Sequence, residues 1–207
     1  MSDGANEITA RDALRQVYDQ PAEMTTKKIL NRLDDHCRRF IALSPFLTIA
    51  STSDSGTDCS PRGDEPGFVR VVDDRTLILP DRRGNNILDT LQNVLVRPDV
   101  GLLFLVPGLN ETLRVNGKAR LVTDPRLLQA MAIRGTIVPS SAMEIAVEQV
   151  YFHCGRAILR ADLWNADKKV GRDAFPLLGN VLADQIRGVD ADATNKRLET
   201  AYTTNLY

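Results

Sequence analysis

The sequence predicts a mainly β fold with flanking helices, in which antiparallel strands form a small barrel with helices at its rim. Closely spaced hairpin patterns and several short apolar runs indicate this fold class. Parallel strands need crossovers of about a dozen residues or more, so hairpins at this spacing favour antiparallel pairing. The composition, 43% apolar and 26% charged over 207 residues, is that of an ordinary globular chain. The length fits one domain with an elaborated terminus.

Two helical patterns come first. Residues 9–12 resemble a helix N-cap followed by an acid, and Pro21 ends that pattern. A second N-cap at Thr25 or Thr26 predicts a longer helix that stops at Pro45. Its apolar residues recur every three or four positions and predict one buried stripe, consisting of Ile29, Leu30, Leu33, Cys37, Phe40 and Ile41.

Short apolar and β-branched runs follow, separated by turn residues. The predicted strands are 46–52, 68–72, 76–79, 100–106, 112–122 and 143–153. Residues 73–75 and 107–110 predict hairpin turns. The predicted helices of this part of the chain are 86–93, 124–133, 176–187 and 191–202.

The charge balance argues against binding to nucleic acid or to a membrane. Lys and Arg total 26 against 27 Asp and Glu, and only 5% of residues are aromatic, which disfavours a barrel that binds single-stranded nucleic acid. The longest strongly apolar run, 100–106, is far shorter than a membrane span. With no signal-peptide pattern and three cysteines, an odd number, we expect a cytoplasmic protein with free thiols.

No metal site is predicted. His36 and His153 each adjoin a cysteine, but adjacent side chains diverge on a helix or a strand. Cys59 has no histidine near it in sequence, so an inert thiol is favoured over a nucleophile. The disposition of Cys59 and Cys154 stays open.

The segment 79–86 is the most informative for function. Asn85 or Asn86 predicts a helix N-cap, and the free N–H groups of the first helical turn favour an anion. Arg82 and Arg83 add fork-shaped cationic donors, so the segment suits a phosphate monoester. The alternative is a solvated turn. Neither a Walker nor a Rossmann glycine signature is present.

Two further segments are candidate ligand contacts. In residues 59–67, proline and glycine are expected to break the strand ladder and leave Arg62 facing a ligand. In residues 110–121, alternation places Thr112, Arg114 and Asn116 on one face, which is either a ligand mouth or an ordinary solvent face.

Taken in order, these segments resemble the pyridoxamine 5′-phosphate oxidase-like family of FMN-binding split barrels. The resemblance runs from about residue 27 to 164 and is carried by residues 46–71 (FLTIASTSDSGTDCSPRGDEPGFVRV), 76–93 (TLILPDRRGNNILDTLQN) and 100–122 (VGLLFLVPGLNETLRVNGKARLV). The subgroup most similar to this chain consists of FMN-dependent enzymes whose substrate is unassigned.

The resemblance implies a six-stranded antiparallel split barrel and a homodimer with FMN at the subunit interface. On this basis residues 1–24 form an N-terminal helical extension and residues 25–165 the flavin-binding domain. Residues 166–207 form a C-terminal helical tail that packs on the barrel or on the partner subunit.

The resemblance also assigns candidate cofactor contacts. The phosphate pair of relatives falls on Asn85 and Asn86, where many relatives carry Arg and Lys, and here Arg82 and Arg83 are expected to supply the charge. The ribityl and ring contacts, in part from the other subunit, are expected at Arg62, Leu79, Pro80, Thr112 and Arg114. Thr112 replaces a family glutamine.

A substrate pocket would involve Arg134, Ser140 and Ser141, and no catalytic residue is assigned. Relatives that oxidise pyridoxamine phosphate carry Arg-Leu-His where this chain has residues 158–160, Ile-Leu-Arg, so that activity is not expected. The resemblance thus predicts an FMN-dependent oxidoreductase acting on an unidentified small molecule. The alternative is a non-catalytic binder or sensor of flavin, deazaflavin or haem.

Overall fold

One antiparallel sheet organises the computed structural model, which describes residues 7–204 and 207. Its strands are β1 (Phe46–Ser53), β2 (Gly56–Gly63), β3 (Arg70–Val71), β4 (Thr76–Asp81), β5 (Asp99–Leu105), β6 (Thr112–Val122) and β7 (Ser141–His153). Their order in the sheet is β2-β1-β5-β6-β7-β4-β3. The predicted mainly antiparallel fold is confirmed, but the expected number of six strands is wrong by one.

The helices flank this sheet. They are α1 (Arg11–Val17), α2 (Glu23–Lys27), α3 (Asp35–Leu43), α4 (Asp89–Val96), α5 (Pro125–Gln129), α6 (Arg156–Ala161), α7 (Leu178–Gln185) and α8 (Ala191–Thr204). Short 3₁₀ turns lie at residues 166–168 and 172–174. Among the residues described, none of the helices is both long and apolar enough to pass through a bilayer.

The strand that sequence reasoning missed is β2. Residues 59–63 do not break the ladder: β2 pairs with β1 along its whole length, and Pro61 lies opposite Thr48. Because β2 is at the edge of the sheet, the missing N–H of Pro61 costs no central ladder bond.

The single long helix expected from Thr25 or Thr26 to Pro45 is also wrong. It is divided into α2 and α3, and the Asp34 carboxylate accepts a hydrogen bond from the Cys37 N–H at 2.8 Å, which starts α3 anew. That hydrogen bond also lowers the pKa of Asp34. Leu30 lies between the helices and exchanges backbone hydrogen bonds with Val150. Local capping and pairing with β7 therefore override the helical periodicity at the start of the stripe.

The core lies between α3 and the inner face of the sheet. Cys37, Phe40 and Ile41 of α3 are buried, as the rest of the stripe predicted. The sheet contributes alternating apolar residues that are at most 1% exposed, namely Leu47, Ile49, Leu77, Leu79, Leu102, Phe104, Leu113, Val115, Met143 and Ile145. Their burial follows from the period of two in each strand.

The longest strand pair, β6 with β7, contains a bulge. The register shifts between Asn116 and Gly117, so that Glu148 has no partner across the ladder. A Cβ at Gly117 would overlap the carbonyl oxygen of Ala146, so only glycine allows the two strands to approach this closely.

The C-terminal helices form a hairpin. The Gly179 N–H donates to the Asn195 Oδ1 atom at 2.7 Å, and Gly188 takes a positive φ of 85° in the turn between α7 and α8. Several apolar side chains of this part remain exposed, namely Val170, Phe175, Leu177, Ile186 and Tyr202. The two predicted helices are thus present, and part of their apolar surface is not covered within the described chain.

Candidate functional site

A cavity of about 980 Å³ opens beside the ends of β2 and β4. Its walls are formed by residues 60–63 of β2, residues 80–91 at the end of β4 and the start of α4, residues 137–141 before β7, and the side chains of Phe68 and Tyr207. Small-molecule sites in proteins are typically about 300–1,000 Å³, so this cavity can hold a cofactor-sized ligand.

The loop between β4 and α4 shapes the cavity in a way that the sequence did not predict. Neither Asn85 nor Asn86 caps α4: the N-cap is Leu88, which has a left-handed backbone and no side-chain cap. The Asn85 Oδ1 atom instead accepts a hydrogen bond from the Ile87 N–H at 3.0 Å. Asn86 is itself left-handed, with φ 60°, a conformation that asparagine tolerates better than most residues. The helix therefore begins at Asp89, after a turn closed by Asn85, and not at the predicted position 86.

Arg62 lies on β2 and forms part of the cavity wall. Its guanidinium donates to the carbonyl oxygen of Pro61 at 2.9 Å and to the Thr90 Oγ1 atom at 3.2 Å. Thr90 is 3.3 Å from the Ser60 Oγ atom, to which it donates. Burial lowers the pKa of Arg62, and nearby Asp81 opposes that shift. The chain thus fixes a partly desolvated cation at the wall.

Arg82 is held by a buried ion pair. Its Nε atom lies 2.6 Å from the Asp64 Oδ2 atom, and the two side chains are only 18% and 4% exposed. Arg82 also donates to the carbonyl oxygen of Met131 at 3.0 Å. The other Asp64 oxygen accepts from the Glu65 N–H at 2.8 Å and from the Tyr207 hydroxyl at 3.0 Å, which raises the pKa of Tyr207. The charge of Arg82 is therefore largely neutralised within the fold.

Arg83 differs from Arg82. It lines the cavity, and its guanidinium makes no hydrogen bond or ion pair to the residues at 7–204 or 207. Arg83 is therefore the cation of this loop that is able to bind an anionic ligand.

Asp81 is a cavity residue that sequence reasoning missed. It is the last residue of β4, lies opposite Ser141 of β7, and is half-buried. Burial raises the pKa of its carboxyl, and the charge of Arg62 offsets part of that shift. Asp81 lies within the segment 79–86, where the sequence predicts roles for the arginines, the asparagines, Leu79 and Pro80 but none for this carboxylate.

The structure separates the predicted contacts into two groups. Those that line the cavity are Arg62, Pro80, Arg82, Arg83, Asn85, Asn86, Ser140 and Ser141. Those that do not line it are Leu79, Thr112, Arg114 and Arg134. Leu79 is fully buried in the core, and Arg134 has a left-handed backbone in the loop after α5.

Thr112 and Arg114 belong to a second polar region, on β6 and β7. Arg114 donates to the Tyr151 hydroxyl at 3.0 Å, and Thr112 lies opposite His153 in the ladder. The His153 Nε2 atom is buried and has no hydrogen-bond partner among the described residues. Burial lowers the pKa of His153, as do the charges of Arg114 and Lys28.

The antiparallel sheet, its rim helices and the polar cavity define a split-barrel protein that can bind a small molecule. Residues 33–154 match the family model of pyridoxamine 5′-phosphate oxidase, which is more than half of the chain. The chain therefore belongs to the pyridoxamine 5′-phosphate oxidase family. A search of curated protein sequences found no match.

Solved structures give more distant similarities. HupZ from Group A Streptococcus is 18% identical, with a TM-score of 0.47, over 57% of this chain and 91% of that one. A candidate pyridoxamine 5′-phosphate oxidase of Lactobacillus delbrueckii is 17% identical, with a TM-score of 0.46, over 59% and 95%. An FMN-binding protein of Syntrophomonas wolfei is 11% identical, with a TM-score of 0.45, over 56% and 82%.

We predict that Asp64→Asn strongly destabilises the protein, because it leaves Arg82 buried without its counter-ion. Breaking a buried ion pair from one side costs about 3 kcal/mol or more, so the free energy of unfolding in urea should fall by about that amount. Asp99→Asn is the matched control, since it breaks the exposed ion pair with Lys118 and should have a much smaller effect. Equal effects of the two substitutions would contradict a structural role for the Asp64–Arg82 pair.

Proposed function

We propose that this chain binds FMN in the cavity beside β2 and β4 and acts as an FMN-dependent oxidoreductase on a small molecule. The observation that carries the proposal is the cavity itself, in which the unpaired Arg83 and the partly desolvated Arg62 face a space of cofactor size. Membership of the pyridoxamine 5′-phosphate oxidase family supports the choice of flavin.

The residues present fit the chemical groups of FMN. Its phosphate needs cationic and N–H donors, which Arg83, Asn85 and Asn86 can provide along the turn. Its polyol chain and ring carbonyls need polar partners, and Arg62 lies in the same wall. Its flat ring needs apolar contacts, which the side chains of Phe68, Leu91, Ile137 and Val138 offer.

FMN, when bound, supplies hydride or electron transfer, and the protein supplies binding and orientation. Arg83 and the turn hold the phosphate, and Arg62, fixed by Pro61 and Thr90, presents a donor to the rest of the cofactor. The side chains of Phe68, Ile137 and Val138 supply an apolar part of the cavity wall. We assign no general acid or base, in keeping with chemistry that a flavin carries out itself.

We further propose a homodimer with FMN at the subunit interface, as the resemblance implies. Thr112 and Arg114 lie outside the cavity of their own chain, so a role in FMN binding requires that they reach the cavity of a second copy. The orphaned Nε2 atom of His153 on the same region and the exposed apolar residues of the C-terminal hairpin are consistent with such a partner.

We predict that the purified protein binds FMN and that Arg83→Ala weakens this binding. Loss of charge-assisted hydrogen bonds to the phosphate should raise the Kd about 10- to 100-fold, measured by quenching of flavin fluorescence. Arg11→Ala, which removes an exposed arginine from α1, should leave the Kd unchanged. A wild-type protein that ignores added FMN would refute the flavin proposal.

An oxidoreductase should also use the bound cofactor. We expect NADH or NADPH to bleach the visible absorption of the FMN-loaded protein under anaerobic conditions, and oxygen to restore it. The alternative function, binding of flavin, deazaflavin or haem without turnover, predicts no bleaching by either nucleotide. Mass spectrometry of the ligand released on denaturation identifies which of these cofactors the protein carries.

Arg114→Ala tests the proposed dimer. We expect it to weaken FMN binding although Arg114 does not line its own cavity, because it acts on the cavity of the partner. In a mixed dimer of Arg83→Ala and Arg114→Ala subunits, one site carries both substitutions and the other carries neither. Mixing the two variants should therefore restore tight binding sites, counted by FMN titration. A monomer in sedimentation equilibrium, or no restoration on mixing, argues against the shared site.

A further inference from the structure

Two aspartates near the cavity have opposite environments. Asp64 is almost fully buried and has three partners, namely Arg82, the Glu65 N–H and the Tyr207 hydroxyl. Asp81 is half-buried, and no donor of the described residues forms a hydrogen bond or ion pair with its carboxylate. Asp64 thus contributes to the fold. The carboxylate oxygens of Asp81, by contrast, accept no hydrogen bond from the described residues and are available to a ligand.

Arg62, whose charge acts on Asp81, forms no hydrogen bond or ion pair with the Asp81 carboxylate. The guanidinium of Arg62 donates to the Pro61 carbonyl and to Thr90 instead, so Asp81 experiences its charge without a direct contact. Placing an unpaired carboxylate in a partly desolvated wall costs free energy. In a cavity for a phosphorylated ligand the same carboxylate also repels the phosphate. A hydrogen bond from the ligand to the carboxylate offsets both costs.

The position of Asp81 limits which ligand group can be that donor. Asp81 is two residues before Arg83, so their Cα atoms are at most about 7 Å apart. If Arg83 binds the phosphate, this proximity favours a donor to Asp81 in the part of the cofactor next to the phosphate. In FMN that part is the ribityl chain, whose hydroxyls are good donors to a carboxylate.

We propose that Asp81 binds a hydroxyl of the ribityl chain of FMN and is a specificity-determining residue for a polyol cofactor. This inference rests on the proposed flavin site. In this proposal Arg83 binds the phosphate, and Asp81 favours a cofactor with a hydroxylated chain next to the phosphate.

The test compares FMN binding to the wild-type protein and to Asp81→Ala, by fluorescence quenching at a salt concentration that screens the phosphate repulsion. We expect the Kd to rise about 10-fold or more, since a hydrogen bond to a charged acceptor is lost. If Asp81 makes no contact with the cofactor, its removal relieves repulsion, so an unchanged or lower Kd overturns the inference. Asp12→Ala, at an exposed position on α1, is the matched control and should leave the Kd unchanged.

A second arm distinguishes the polyol from the other strong donor of the flavin, the imide N–H of the ring. The same two proteins are titrated with FMN that is methylated at the imide nitrogen. An equal loss of affinity in Asp81→Ala for both ligands supports the ribityl contact, and a loss that disappears for the methylated ligand overturns it.

Two controls distinguish the loss of a contact at Asp81 from misfolding and from a failure of the proposed function. Asp81→Ala removes an unpaired, partly desolvated carboxylate, so its thermal midpoint should not be lower than that of the wild type, which excludes misfolding as the cause of weak binding. A wild-type protein that does not bind FMN refutes the proposed function itself, an outcome distinct from normal FMN binding by Asp81→Ala.

Discussion

The buried contact between Asp64 and Arg82 is the constraint on which the cavity depends. Asp64 follows β2 and Arg82 follows β4, and the Arg82 guanidinium also reaches the Met131 carbonyl beyond α5. The ion pair and this hydrogen bond therefore connect the three segments that follow β2, β4 and α5. A buried ion pair contributes little net stability in itself. Removal of one partner is costly, however, because the other charge stays buried, so the pair holds these segments in one arrangement.

Because of this ion pair, two adjacent arginines have different roles. The charge of Arg82 is neutralised within the fold, whereas Arg83 lines the cavity with its guanidinium unpaired among the described residues. The same separation applies to the two aspartates, since Asp64 is satisfied by the fold and Asp81 is not. The charges available to a ligand are thus those that no contact within the described fold neutralises. The sequence alone does not show which charges these are.

Much of the fold was predictable because it follows from local periodicity. The alternating apolar residues of β5 and β6 and the stripe Cys37, Phe40 and Ile41 appear in the core as expected. The failures occurred where a non-local contact decides the outcome. Pro61 is tolerated because β2 is an edge strand, and Leu30 leaves the helical pattern because it pairs with Val150, which is 120 positions further along the chain.

The candidate site shows the same limit. The arginines, glycine and asparagines of the segment 79–86 predict a ligand-binding segment, and all of its residues except Leu79 line the cavity. The expected helix N-cap failed because Asn85 closes a turn with the Ile87 N–H before α4 begins. The sequence could not single out Asp81, because its lack of a hydrogen-bond partner among the described residues depends on the direction taken by the guanidinium of Arg62 on another strand. A charged residue in a motif is thus informative for function only once the contacts that neutralise it are known. In this chain Arg83 and Asp81, two residues apart, are among the charged residues that line the cavity without an ion-pair partner in the part of the chain that the structure describes.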